Sequence, residues 1–324
     1  MSDKSKRFSL TVLGTRGSMA VTGSDKIKYG CGTSCYLVET EDETVIMDAG
    51  SGILNLSDTG KEKVSLLITH THIDHILGLP MFLGDFRGKE LWIYGETRGG
   101  APIKQQLEMY MKPPLWPVGF DVFPVDIEFR GISPSFNIGD IKVTTMEANH
   151  PGGSTIFGLE YDGRKIVYAT DFEHGKRDIK LEADIEGPSV PVSVRSSADS
   201  DNSVNGRFSF GYDESDSAGS GNDVPAFRRL AEFAKGADLL LYDAQYTVAE
   251  YEKCRGFGHS TYLKALELYE LSGAKDMLLV HHAPMHDDAF MDRMATELEK
   301  TLASMPAPIR GSIHFAKEGE QIDI

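Results

Sequence analysis

Directly after the apolar run Val64 to Thr69, four side chains able to bind a metal fall within six positions: His70, His72, Asp74 and His75. In an extended stretch alternate side chains share a face, so His70 and His72 can converge on one ion. Asp74 and His75 then turn toward a second. Imidazole nitrogen and carboxylate oxygen suit zinc, manganese or iron, and the set lacks the cysteines of a closed structural zinc site. Open coordination implies catalysis.

These residues need elements to position them. Short β-rich runs are predicted at Phe8 to Leu13, Cys35 to Glu39, Thr44 to Met47, Ser65 to Thr69, Leu91 to Tyr94 and Ile141 to Met146. Further runs follow at Thr155 to Tyr161, Lys165 to Ala169, Leu239 to Tyr242 and Met277 to Val280. Helical spacing of apolar residues marks Ala101 to Tyr110, Val224 to Lys235, Tyr262 to Leu271 and Asp287 to Ala303. Such an order suits an α/β fold of two sheets packed face to face with helices outside, since each sheet must bury an apolar face.

The 324 residues fit one domain, 1–324, with an insertion. The insertion is the Ser-, Asp- and Gly-rich stretch Ala183 to Asp223, whose only basic residues are Arg195 and Arg207. A net charge of −16 disfavours nucleic acid and anionic membranes as partners, because both are repelled at long range. Any anionic substrate must meet a local positive centre. A cytoplasmic location follows from the lysine-rich start without an apolar segment after it. Cys31, Cys35 and Cys254 are read as buried, reduced thiols.

The run His70-Thr71-His72-Ile73-Asp74-His75 resembles the signature of the metallo-β-lactamase superfamily. Later motifs fall in that superfamily's order: Asn149-His150-Pro151, Tyr168-Ala169-Thr170-Asp171, Gly258-His259-Ser260-Thr261 and Val280-His281-His282-Ala283-Pro284. The early motifs Gly14-Thr15-Arg16-Gly17-Ser18, Tyr29 to Cys35 and Asp48-Ala49-Gly50-Ser51-Gly52 resemble the branch of cyclic-nucleotide phosphodiesterases and tRNA 3′-processing endonucleases.

The resemblance implies a four-layer αββα sandwich and two divalent ions, zinc first, with manganese or iron as alternatives. It assigns His70, His72 and His150 to one ion, Asp74, His75 and His281 to the other, and Asp171 to a bridge between them. Ions about 3.5 to 4 Å apart would share a hydroxide that attacks a phosphodiester in line. His281 and His282 are adjacent and point to opposite faces of an extended chain, so only one can face the metal. The family order favours His281. His259 then remains free for proton work, with Asp243 orienting its ring, and Asp74 counts among the catalytic residues as well as the ligands. Capping of the following helix by Ser260 or Thr261 is the competing role for that motif.

Arg16 in its glycine turn is a candidate phosphate contact, and Trp116 in Lys112 to Pro117 a candidate stacking residue. His174 is expected in a surface turn, and His286 is expected to be structural. The leading expectation is a hydrolase of a small anionic phosphodiester, cyclic nucleotides first, with homodimers common among relatives. The alternatives are a tRNA 3′-end endonuclease and a non-hydrolytic redox protein on the same scaffold.

Overall fold

The structure is a computed structural model describing residues 6–86, 88–175, 226–305 and 309–324. The expected insertion at 183–223 lies outside the described residues. The first half of the chain forms β1 (Phe8–Gly14), β2 (Cys35–Thr40), β3 (Thr44–Met47), β4 (Lys63–Leu67), α1 (Ile73–Ile76) and α2 (Leu79–Asp85). It continues through β5 (Glu90–Gly95), α3 (Ile103–Tyr110) and β6 (Asp126–Gly131). The second half contains β7 (Ser135–Ile138), β8 (Ile141–Ala148), β9 (Ser154–Tyr161), β10 (Arg164–Ala169) and α4 (Ala226–Phe233). Next come β11 (Leu239–Asp243), α5 (Val248–Cys254), α6 (Tyr262–Ser272), β12 (Asp276–Val280), α7 (Asp288–Ser304), β13 (Ile313–Phe315) and β14 (Gln321–Asp323).

Two seven-stranded sheets result, ordered β14-β1-β2-β3-β4-β5-β6 and β13-β12-β11-β10-β9-β8-β7. Strands β3 to β6 run parallel, as do β10 to β13. Because β8 and β10 are both antiparallel to β9, β8 shares the direction of β10. The carboxyl ends of β8, β10, β11 and β12 therefore lie along one edge of their sheet, the edge where open α/β sheets place ligands.

Alternation explains the layers. In β11, Leu239 and Leu241 enter the apolar core between the sheets, while Leu240 and Tyr242 pack under α4, α6 and α7. A third cluster, with Ile46, Leu66, Ile93 and Leu107, seals α1 to α3 onto the first sheet. Both faces of the central strands are covered, so they read as continuous apolar runs. The architecture is the four-layer αββα sandwich.

All ten expected strands are present, with small shifts at their ends. Strands β6, β7, β13 and β14 were not expected: the first two are half-exposed edge strands with mixed polarity, and the last two are three residues long. Cys35 is buried, but Cys31 and Cys254 are only partly so, and none of the three forms a disulfide. Among the described residues no helix is long and apolar enough to cross a membrane.

Candidate metal centre

Six segments converge at the carboxyl edge of the strands. The chain after β4 brings His70, His72, Asp74 and His75, and His150 follows β8. Asp171 follows β10, Asp243 ends β11, His281 follows β12, and His259 precedes α6. Ligand-type atoms of His70, His72 and His150 lie within 4.8 Å of one another, and so do those of Asp74, His75 and His281.

Asp171 stands between the two groups. Its Oδ1 is 3.8 Å from His70 Nε2 and 3.7 Å from His150 Nε2, while its Oδ2 is 3.1 Å from His75 Nε2 and 3.3 Å from His281 Nε2. One oxygen thus faces each group, as a bridging carboxylate requires. The Nε2 atoms of His70 and His75 are buried without a hydrogen-bond partner, and His72 Nδ1 faces His150 Nε2 at 3.2 Å. An unpaired buried polar atom costs about 1–3 kcal/mol, and a divalent cation would satisfy several at once. The nitrogen and oxygen donors fit such an ion.

Hydrogen bonds behind the cluster fix the rings of His75, His150 and His281. His75 Nδ1 donates to Asp48 Oδ2 at 2.8 Å, His150 Nδ1 to the Gly258 carbonyl at 3.0 Å, and His281 Nδ1 to Gln245 Oε1 at 2.7 Å. With Nδ1 committed, Nε2 is the atom presented to the cluster. Asp48 also accepts from Thr69 and from the Tyr168 hydroxyl. Asp74 accepts from the Ser18 amide at 2.7 Å. Asp48, Gln245 and Glu173, whose carboxylate accepts from the Gly256 and Gly258 amides, carry this support and are not among the site residues expected from the sequence. Asp48, at a strand end before Ala49-Gly50, was the one with a readable signal.

Burial pushes His70 down, and it lowers His150 to about 4, so both hold the neutral imidazole form that binds metals. At His281 burial opposes protonation, but the carboxylates of Asp171 and Asp74 outweigh it and raise the ring to about 9. At Asp171 burial is likewise outweighed, by His281, His75 and His70, and the carboxyl is held well below its usual range. Negative charge is thus concentrated where a cation would sit.

His259 Nδ1 lies 2.8 Å from Asp243 Oδ2 and 3.8 Å from Asp171 Oδ1. Asp243 is itself fixed by the amides of Asp171 and Gln245. Thr261, not His259 or Ser260, caps α6 by accepting from the Lys264 amide. The His259 ring is therefore oriented with Nε2 left over.

Arg16 and His174 depart from expectation, whereas His282 and His286 do not. His282 turns away from the cluster and donates to the Ala316 carbonyl at 2.8 Å. Arg16 is fully buried and bonds the carbonyls of Gly30, Ala283 and His286, so it locks loops together and cannot reach a phosphate. His174 is buried rather than in a surface turn; its Nδ1 lies 2.8 Å from Ser260 Oγ and its ring packs on Tyr251. His286 is buried against Glu250. Trp116 packs beside Tyr110, outside the cluster. A separate cavity of about 630 Å³, lined by residues including Val21, Ile27, Cys31 and Leu54, contains none of the clustered ligands.

Comparison with known proteins adds four findings. Residues 29–220 match the family model described as the metallo-beta-lactamase superfamily. Ribonuclease Z of Haloarcula marismortui is 24% identical over 301 residues, covering 84% of this chain and 85% of that protein. Ribonuclease Z of Lacticaseibacillus casei is 26% identical over 306 residues, covering 89% and 88%. Among solved structures, the metallo-beta-lactamase fold protein YhfI from Bacillus subtilis superposes with a TM-score of 0.61 at 15% identity, covering 98% of this chain and 100% of that one. That likeness concerns the fold.

Proposed function

The chain belongs to the metallo-beta-lactamase superfamily and is a metal-dependent hydrolase, and from that premise we propose that it cuts RNA phosphodiester bonds, with the 3′ end of a precursor tRNA as its substrate. The observation that carries this reading is the near full-length similarity to proteins named Ribonuclease Z, coupled to a cluster able to hold two cations. On this reading a net charge of −16 does not exclude nucleic acid as substrate. Charge acts at long range, whereas the cluster supplies a local positive centre once it holds cations.

In this proposal His70, His72 and His150 hold one divalent ion, Asp74, His75 and His281 hold the other, and Asp171 bridges. Zinc is the first candidate. Such a pair would supply Lewis acidity and an activated water at the phosphate. The protein's own side chains do the rest. Asp48, Gln245 and the Gly258 carbonyl keep the imidazoles aimed, and Asp243 holds His259 so that Nε2 can donate a proton to the leaving ribose oxygen. A cytoplasmic place of action is part of the same proposal.

The acidic surface favours a second reading, in which small or cyclic phosphodiesters are the substrates. Metal-loaded protein offered a precursor tRNA, a cyclic mononucleotide and bis-para-nitrophenyl phosphate separates them. Cleavage of the tRNA precursor at its 3′ side is expected. Turnover of the cyclic mononucleotide alone would select the second reading, and turnover of none would sink both.

A further inference from the structure

The segment Gly256-Phe257-Gly258 connects α5 to His259 and is fixed at four points. The Gly256 amide donates to Glu173 Oε1 at 2.7 Å and the Gly258 amide to Glu173 Oε2 at 3.1 Å. The Phe257 amide donates to the Cys254 carbonyl at 3.1 Å, and the Gly258 carbonyl accepts from His150 Nδ1 at 3.0 Å. Gly256 and Gly258 have φ of 90° and 91°, a region that side chains avoid. A Cβ on Gly258 would lie 2.0 Å from His150 Nδ1. The backbone is therefore held tightly against the candidate metal centre.

Within this frame the Phe257 side chain is 62% exposed. A single exposed apolar residue is ordinary; its setting here is not. Phe257 is one residue from the carbonyl that orients His150 and two from His259, and the buried Glu173 carboxylate accepts from both flanking glycine amides, its Oε1 also from the Tyr251 hydroxyl at 3.0 Å. An exposed aromatic ring carried by a backbone held this firmly at the candidate metal centre has the chemistry of a stacking platform, since every nucleobase offers a π face.

We propose that Phe257 stacks on the nucleobase adjoining the scissile phosphate and that Glu173 is the positioning residue holding this platform. The identity of the ligand rests on the phosphodiesterase reading above. Its test does not require turnover. Binding of a nucleoside 5′-monophosphate and of ribose 5-phosphate to the metal-loaded full chain is measured by calorimetry for wild type, Phe257→Ala and Phe257→Trp. Wild type should prefer the nucleotide by about tenfold, equivalent to about 1.4 kcal/mol. That preference should collapse in Phe257→Ala and return in Phe257→Trp. An equal preference in Phe257→Ala, or none in wild type, would overturn the platform. Glu173→Gln, in which one acceptor oxygen becomes a donor, should weaken the preference when compared with wild type at matched metal occupancy; a wild-type preference there would remove Glu173 from the proposal. Failure of the cleavage reading would show separately, as absence of turnover of any phosphodiester by a protein that still distinguishes the base.

Discussion

Asp48, Asp171 and His281 have positive φ values of 62°, 52° and 65°, in the left-handed region that non-glycine residues rarely occupy. Each such residue costs of order 1–3 kcal/mol, and each here ends a strand by turning its side chain into the cluster or its support. Asp48 accepts the Nδ1 proton of His75, so Asp48→Asn should weaken metal binding by about 10–100-fold. Zinc titration against a competing chelator measures this, and wild-type affinity would contradict the role. His259→Ala should lower kcat by about 10²–10⁴-fold while metal content stays normal. Loss of metal together with activity would recast His259 as a ligand. His174 gives a test in pH. Burial lowers it to about 3, against about 6.5 in an unfolded chain. As pH falls through 6.5 the unfolded state takes up a proton that the folded state refuses until about 3, so stability is lost across that window. In urea unfolding at pH 7.5 and 5, His174→Asn should reduce the drop by about 2 kcal/mol; an unchanged drop would contradict it.

Elements carry the precision that residues alone do not. The turn after β1 passes so close to the centre that a Cβ on Gly17 would lie 2.1 Å from His281 Nδ1 and 2.7 Å from Gln245 Oε1. Gly17 is not among the residues with positive φ, so Gly17→Ala adds crowding without left-handed strain. It should displace His281 and lower metal occupancy, read by elemental analysis of the purified protein; full occupancy would show that the pair yields. This closeness was not legible in the sequence, where the same glycine turn suggested that Arg16 reaches a phosphate. Apolar runs such as Leu239 to Tyr242 announced their strands because both faces are covered. The clustered histidines and aspartates were legible because residues of ligand type follow strands in the order of a known family. Support from Asp48, Gln245 and Glu173 was not, since these contacts span 27 to 85 positions and no local pattern encodes them. Edge strands β6 and β7 escaped although Asp126-Ile127-Glu128-Phe129 and Ser135-Phe136-Asn137-Ile138 alternate polar and apolar residues: each run holds only two apolar positions, and its residues are mostly half-exposed or exposed.

For the whole molecule, the question is how a chain of net charge −16 would engage RNA. Proteins that grip nucleic acid with clustered Lys and Arg release counterions, so their affinity falls steeply as salt rises. The opposite sign is expected here. Raising ionic strength from about 0.01 M to about 0.15 M shortens the screening length from about 30 Å to about 8 Å. Repulsion between the acidic surface and the distant phosphates of a tRNA is then screened, while attraction at the buried cluster, acting over a few ångströms, is largely kept. The kcat/KM for a precursor tRNA should therefore hold or rise over that range, and that for a cyclic mononucleotide, with one phosphate to repel, should change less. A fall of about tenfold or more for the tRNA would show that clustered cations on this chain dominate its approach, and the charge argument made from composition would be wrong.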